Sequence, residues 1–430
     1  MLKNNILLAF SLCVSSVAIA QQNPLLDKYR SMAVEYSHDL KAADKNIAAS
    51  IELEKAAQKE LYPRLAGGAN FQYTGNPLQL TLDLPSMGNP ASFEGKDMKY
   101  GASVSLLQPV YTGGRLLENI RMAHYRHNMS GFQEEYIRSG IFLQTDMLYW
   151  NTVARTEILR ISEDYRNSVA SLVQTIRERV EAGLTDPQDL LMMEVKLNEA
   201  EYQLLQAQKN FENGRMALNS LIGVELQAQT EVEDSVAAVV MDGLTAEMDN
   251  SVIRPEQKIA MEQINMMESE KKLIDSKYKP QFYIGIDGSY SSPGYNFRTD
   301  MDPNYAVYAK LSVPLFEWGK RRNEKRASAF KVDMAVDNLN KTTDGVKLEI
   351  QTARNSLRQA LAQVDLTKKS LDKACENEVM ALDRYNEGKS SVIEVIDAQT
   401  YRQAAQINHV QAKVSAQGHY SELLKALNMY

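Results

Sequence analysis

The sequence predicts a mainly helical protein with a small part made of four β-strands, built from two copies of one structural unit. Three observations support this fold class. Two separate motifs recur at one spacing, four segments alternate between apolar and polar residues, and two long proline-free segments carry helical periodicity. Each copy is therefore expected to contain a helix, a strand pair, a very long helix, a turn and a second helix.

The first twenty residues have the composition of a cleaved signal peptide. Lys3 supplies a positive charge, residues 6–17 are apolar, and Ala18-Ile19-Ala20 is a small-residue cleavage site. We therefore expect export, with Gln21 as the first residue of the mature chain. The alternative interpretation is a buried N-terminal helix.

Composition limits the partners and the way in which this chain can enter a membrane. The formal net charge of −7 argues against nucleic acid as a partner. Beyond the leader, no segment approaches 18 uninterrupted apolar residues, so any membrane-spanning part is expected to consist of strands. The mature chain keeps only Cys375, so an internal disulfide is not expected.

The internal repeat sets the predicted domain boundaries. Pro109 and Pro314 lie 205 positions apart in similar motifs, and Gly183 and Gly388 lie 205 positions apart in another pair. Two motifs at one spacing are improbable by chance. The prediction is a signal peptide over 1–20, a first repeat over 21–222, an acidic connection over 223–253 and a second repeat over 254–430.

Four segments alternate between apolar and polar residues, which is typical of strands with two different faces. In the last of them, Tyr305, Val307 and Leu311 share one side. Each segment is about long enough to cross a bilayer as a tilted strand. The predicted strands cover about residues 64–74, 99–109, 281–290 and 304–314. Residues 75–98 and 291–303 are rich in Pro, Gly, Asn and Asp, which favours loops between the strands.

The helical segments carry the clearest periodicity. Residues 114–181 and 319–387 contain no proline, and helices of that length would reach roughly 100 Å. Such lengths are typical of elongated coiled-coil assemblies. The helix after the first turn has apolar or small residues at alternating steps of three and four, which is a heptad seam. The seam comprises Leu190, Met193, Leu197, Ala200, Leu204, Ala207, Phe211, Gly214, Leu218 and Leu221.

Four strands cannot close a barrel on their own. An open sheet edge in lipid would leave backbone N–H and C=O groups unpaired, at a cost of several kcal/mol each. Either the strands form a soluble sheet on a helical bundle, or several chains share one barrel. Three chains would supply enough strands to enclose a lumen.

A family resemblance rests on the motifs that flank the strands and turns. The strand ending at Pro109 runs into Tyr-x-Gly-Gly-Arg at residues 111–115, and its second copy ends Phe-Glu-Trp-Gly-Lys at 316–320. With the Tyr-x-x-Gly turn at Tyr385, these motifs resemble the TolC-like outer-membrane factors. The resemblance covers essentially the whole mature chain, including an opening helix over about 24–61.

That resemblance implies a fold, a location and partners. The implied assembly is a homotrimer with a 12-stranded outer-membrane β-barrel and a long periplasmic coiled-coil α-barrel. The implied partners are outer-membrane lipid, a periplasmic adaptor (membrane fusion) protein and an inner-membrane pump of RND, ABC or MFS type. The implied function is export of drugs, other toxic small molecules or proteins.

The resemblance also implies a gate and a docking surface at the periplasmic tip. The implied gate residues are Asp189, Tyr385, Lys389, Ser390, Glu394 and Asp397. The implied adaptor-docking residues are Gly183, Leu184, Thr185, Gly388, Lys389 and Ser390. Where the family has an arginine two residues after the second glycine, this chain has Ser390. Either the neighbouring Lys389 takes the place of that arginine, or the salt bridge that closes the gate is weaker.

The implied gate and docking residues also have simpler interpretations. Glu394 and Asp397 share a helix face and could be solvated surface carboxylates, and each tip glycine could be a helix C-cap. The competing function is a periplasmic coiled-coil scaffold that forms no channel. Nothing indicates an enzyme or a cofactor. His124 and His127 lie three positions apart on a predicted helix, but no carboxylate or cysteine is near them in sequence, so we expect no metal site.

Overall fold

The computed structural model describes residues 23–82, 91–239, 253–294 and 300–430. The predicted signal peptide and residues 240–252 of the predicted acidic connection lie outside these ranges. The chain divides into two units. The helical unit comprises Met1–Lys41, Glu135–Arg254 and Asp344–Tyr430, and the strand unit comprises Ala42–Glu134 and Pro255–Thr343.

Seven helices occur in the described residues. They are α1 (Pro24–Tyr36), α2 (His38–Lys59), α3 (Arg115–Glu181), α4 (Pro187–Ile222), α5 (Pro255–Ser276), α6 (Lys320–Asn386) and α7 (Val392–Ala426). The helices α3 and α6 each contain 67 residues. Their first residues lie 205 positions apart, as do those of α4 and α7, so the elements follow the spacing of the sequence motifs. No helix among the described residues is both long and apolar enough to cross a membrane.

The predicted opening helix is interrupted at Ser37, which corrects the expectation of one helix over 24–61. Ser37 has φ −49° and ψ 121°, outside the helical region. Its hydroxyl accepts a hydrogen bond from the backbone N–H of Leu40 at 3.2 Å, which caps the start of α2. The Tyr36 ring packs against Gly223, which has φ +77° at the end of α4. A Cβ at Gly223 would lie 2.2 Å from that ring, so only glycine fits there.

Four strands form one antiparallel sheet in the strand unit, as predicted. They are β1 (Arg64–Tyr73), β4 (Met98–Tyr111), β5 (Gln281–Ser292) and β6 (Asp302–Ser312), and they lie in the order β1-β4-β5-β6. Within the described residues, β1 and β6 therefore each pair on one side only.

The loop prediction for residues 75–98 is wrong in part. This region contains two short strands, β2 (Gln79–Leu82) and β3 (Ala91–Glu94), which pair antiparallel as a separate sheet. Gln79 lies opposite Glu94, and its amide donates to the Glu94 carboxylate at 2.8 Å. The high content of turn-forming residues in this segment obscured the alternation of these four-residue strands.

The register of the four-stranded sheet separates an apolar face from a polar one. Leu65 pairs with Leu106, Leu106 with Ile286, and Ile286 with Val307, so one apolar row crosses all four strands. Neighbouring positions in the strands point to the other face. That face carries small and polar residues, including Asn70, Gln72, Lys99, Ser103, Ser105, Asp287, Ser289, Asn304 and Lys310.

Most of the large side chains on the apolar face are exposed to solvent in the single chain. They include Leu65, Phe71, Tyr73, Tyr100, Val104, Ile284, Ile286, Tyr290, Tyr305, Val307 and Leu311. A monomeric soluble protein rarely exposes so large a contiguous apolar surface. The face is therefore expected to contact lipid or other apolar groups.

The heptad seam of α4 is buried in the helical unit, as its periodicity predicts. Met193, Ala200, Ala207, Gly214 and Leu218 are buried, and most of the other seam residues are half-buried. A Cβ at Gly214 would lie 2.8 Å from the Arg155 side chain, so the small residue permits close approach of α3.

The described part of the acidic connection, residues 223–239, packs against the helical unit. Val236 is buried in the core that contains Tyr149 and Leu218. The backbone N–H of Val236 donates to Glu157 at 2.9 Å, and the backbone carbonyl of Ala237 accepts from Gln417 at 2.9 Å. Side chains from other segments thus form hydrogen bonds with backbone groups of residues 223–239, which have no regular secondary structure.

Candidate functional site: the two glycine turns

The turns after α3 and α6 have the same hydrogen-bonded geometry. Gly183 has φ +68° and Gly388 has φ +75°, both in the left-handed region. In the first turn, Gly183 N–H donates to Val180 and Leu184 N–H donates to Arg179, at 2.9 and 2.8 Å. The second turn repeats both bonds from Gly388 and from the residue after it. These are Schellman motifs, so each glycine ends its helix.

The glycine positions are also open. A Cβ placed on Gly183 or Gly388 would have no heavy atom within 4 Å. Leu184 beside Gly183 is largely exposed. The helix-capping role therefore leaves this surface of the chain accessible.

Two of the predicted gate carboxylates lie at matching positions in the first turns of α4 and α7. Asp186 caps α4, accepting from Gln188 N–H at 2.8 Å, and Thr185 Oγ1 donates to Asp189 at 3.0 Å. Ser391 is the N-cap of α7, and its backbone N–H donates to Glu394 Oε1 at 3.5 Å. Asp189 and Glu394 are thus both three residues into the helix from the cap, where a negative charge is stabilised by the helix dipole.

The face of α7 that carries the predicted gate carboxylates is exposed. Glu394 and Asp397 are both exposed, while Val392, Val395 and Ile396 near them are buried. The side chains of Ile393 and Tyr401 are also exposed on this helix. The carboxylates thus lie on the side of α7 that faces away from the core of its own chain.

Lys196 on α4 is a nearby cation that sequence reasoning missed. Its Nζ lies 2.8 Å from Glu199, and that hydrogen bond outweighs burial and raises the pKa of Lys196, with the negative charge of Asp397 as the smallest contribution. Lys196 is distant from Asp397 in sequence, and no motif marks it. Only the packing of α4 beside α7 brings the two together.

The other predicted gate residues all have contacts within this chain. Tyr385 is buried in an apolar cluster, and the Arg179 guanidinium lies 4.5 Å from its ring centroid. Lys389 forms an exposed ion pair with Glu387 at 2.7 Å, and Ser390 donates to a backbone carbonyl of α6. Within the described chain, Lys389 thus pairs inside its own turn.

The structure also brings together a group that sequence spacing did not reveal. Glu54 on α2 contacts His124 and His127 on α3, at 3.0 and 2.9 Å. The carboxylate lies 70 and 73 positions from the two histidines, so local inspection of the sequence could not find it.

Comparisons with known proteins agree with this architecture. The curated proteins include the solvent efflux pump outer membrane protein SrpC of Pseudomonas putida, which is 22% identical over 390 residues. That match covers 88% of this chain and 79% of the relative.

Solved structures share the fold. The structure of CusC matches with a TM-score of 0.78 at 16% identity, covering 94% of this chain and 92% of the other. The Campylobacter jejuni CmeC outer membrane channel matches with a TM-score of 0.75 at 17% identity, covering 94% of this chain and 85% of the other. These likenesses establish the overall fold of the chain.

A family model matches most of the chain in two blocks. The model for outer membrane efflux proteins covers residues 29–224 and 260–429, which include both long helices, the four-stranded sheet and both glycine turns. The chain therefore belongs to the outer membrane efflux protein family.

Proposed function

We propose that this chain is one subunit of a trimeric outer-membrane channel that carries cargo from a pump to the outside. The observation that carries the proposal is the four-stranded sheet, which has an exposed apolar face, a polar face and two edges paired on one side only within the described residues. In a transmembrane barrel the apolar face contacts lipid and the polar face lines the lumen. Neither edge could be left unpaired in lipid.

In an assembly of three copies of the chain, no strand edge would stay unpaired. If β6 of one chain paired with β1 of the next, each backbone ladder would continue around a closed wall. The predicted signal peptide would direct the chain across the inner membrane, and the helical unit would extend into the periplasm. A periplasmic adaptor and an inner-membrane pump would deliver the cargo, which we take to be toxic small molecules or proteins.

The first prediction tests the channel itself. The protein purified in detergent is expected to be trimeric, to fractionate with the outer membrane and to conduct ions in a planar bilayer. Recovery in the soluble periplasm, or stable monomers without conductance, would support the scaffold alternative instead.

A pair of variants makes this test specific to the sheet. Val307 on the apolar face has 67% of its surface exposed, whereas Ala306 beside it points to the polar face. Val307→Arg should reduce membrane insertion, because arginine on the lipid face costs about 2–4 kcal/mol at the bilayer midplane. Ala306→Arg should insert normally. Equal tolerance of both variants would contradict a lipid-facing sheet.

The second prediction concerns the gate. Two exposed carboxylates from each of three chains, gathered at one axis, would attract cations and repel anions. The variant Glu394→Gln with Asp397→Asn removes these charges, and glutamine keeps the capping hydrogen bond of Glu394. We expect a larger conductance and a cation-to-anion permeability ratio that falls towards one, measured by reversal potentials in a salt gradient.

The control for the gate variant is Asp365→Asn. Asp365 is an exposed carboxylate on α6 that pairs with Lys369 at 2.7 Å, outside both glycine turns. Its neutralisation should leave ion selectivity unchanged. If the double variant also keeps wild-type selectivity, the two carboxylates are ordinary surface groups.

A further inference from the structure

We propose that Glu54, His124 and His127 form a binding site for one divalent transition-metal ion such as Zn²⁺. The site lies in the strand unit, far in sequence from both glycine turns, and does not depend on the proposed export function. Among the described residues, these three side chains are the only group of three or more potential His, Cys, Asp or Glu ligands whose donor atoms converge.

Two helices present the donor atoms. His124 and His127 are three residues apart on α3, so they share a helix face. Glu54 reaches them from α2, with Oε1 at 3.0 Å from His124 Nδ1 and Oε2 at 2.9 Å from His127 Nδ1. The same ring atom of each histidine therefore faces the carboxylate.

The donor set suits zinc and its neighbours in the transition series. Two imidazole nitrogens and one carboxylate oxygen are a common set of three protein ligands, with water in the fourth position. The donor atoms lie within 4.8 Å of one another. Zinc bonds of about 2.0–2.2 Å require donor atoms roughly 3.3–3.5 Å apart. Small side-chain movements would therefore bring the three donors to bonding distance of one ion.

The ion would replace hydrogen bonds that already hold the group together. Each Nδ1 lies within hydrogen-bond distance of one Glu54 oxygen, so a bound ion would take the place of these two contacts. When an ion takes Nδ1 of each ring, the ring proton moves to Nε2.

The site is accessible to ions but partly enclosed. The His124 side chain is 52% exposed, while that of Glu54 is 18% exposed. An ion can therefore enter from solvent and hold α2 to α3. A bound ion would stabilise the folded chain, because the unfolded chain does not hold the three ligands together.

The test is a metal titration of the full chain, purified in detergent without a polyhistidine tag and stripped with a chelator. Zn²⁺ binding is followed by calorimetry, and Co²⁺ binding by its visible absorption. We expect one ion per chain. His124→Ala and His127→Ala should each weaken binding by more than roughly 100-fold, because the loss of even an outer-shell partner costs about 10–100-fold.

The chain contains a matched control. His419 Nδ1 lies 2.8 Å from Glu422, and the exposure of its side chain, 34%, is close to the 32% of His127, but this pair lacks a second histidine. His419→Ala should leave the titration unchanged. Glu54→Gln keeps the size of the side chain and removes its negative charge, so it tests the loss of the carboxylate if a histidine variant fails to fold.

Two results would overturn the proposal. One is a wild-type protein that shows no saturable Zn²⁺ or Co²⁺ binding. The other is an equal change in affinity for His419→Ala and for the variants of the three proposed ligands. In either case Glu54 and the histidines form only a hydrogen-bonded contact between helices.

Discussion

Asp146→Ala is expected to destabilise the helical unit by about 3–5 kcal/mol, because it leaves a partly buried guanidinium without its main partner. Asp146 on α3 is only 1% exposed. Arg30 on α1 binds both of its carboxylate oxygens, at 2.7 and 2.6 Å. Ser421 and Tyr430 also donate to Oδ2, at 2.8 and 2.6 Å. One carboxylate thus joins α1, α3, α7 and the C-terminal residue.

The charge of Asp146 is central to this contact. Burial alone would lower the pKa of Arg30, but the hydrogen bond to Asp146 and its negative charge outweigh burial and raise that pKa. In the alanine variant the guanidinium loses both the bidentate bond and the compensating charge. The measurement is the midpoint of guanidinium chloride denaturation, followed by the helical circular dichroism signal of the protein in detergent.

Asp27→Ala is the matched control for this prediction. Asp27 contacts the same arginine at 2.9 Å, but its side chain is 53% exposed. Exposed ion pairs contribute roughly 0–1 kcal/mol, so this variant should barely shift the midpoint. Similar small shifts for both variants would show that the buried pair contributes no more than the exposed one.

Gly388→Leu is expected to abolish export while leaving the protein folded and trimeric. The side chain would enter open space in its own chain, and the positive φ would cost about 1–2 kcal/mol. Neither effect should block assembly. A complete loss of function would therefore indicate that a partner needs the backbone surface at this turn. Export is measured as drug tolerance in cells that carry the cognate adaptor and pump but lack the wild-type chain.

Gly319→Leu supplies the control for the backbone strain. Gly319 has φ +80°, and a Cβ placed on it would have no heavy atom within 4 Å. It precedes α6, at the end of that helix opposite to Gly388. We expect wild-type tolerance in this variant. Gly183→Leu, at the matching turn, should behave like Gly388→Leu. Normal tolerance in both tip variants would refute a docking role for the turns.

The regular elements could be predicted because their signals are local. The faces of β6 follow from alternation along a single segment, and the seam of α4 follows from steps of three and four residues. The spacing of 205 positions also needed only the sequence, since both copies carry their own prolines and glycines. The same local logic failed for residues 79–94, where turn-forming residues surround two short strands.

The candidate site could be predicted only in part. The tip glycines follow from a local motif, and the structure gives each of them a positive φ and an open surface. Their docking role and the gate role of Glu394 and Asp397 stay predictions. The electrostatic influence of Asp397 on Lys196 had no local signal, because it depends on how α4 packs beside α7.

By itself the sequence determined the element order, the duplicated architecture and the two-faced character of the strands, since these depend on residues a few positions apart. The tertiary structure decided which distant side chains meet. Asp146 on α3 binds side chains from α1, α7 and the C-terminal residue, and Glu54 contacts two histidines some 70 positions away. Such contacts depend on the rotation and offset of one helix against another, which a single-sequence pattern does not encode.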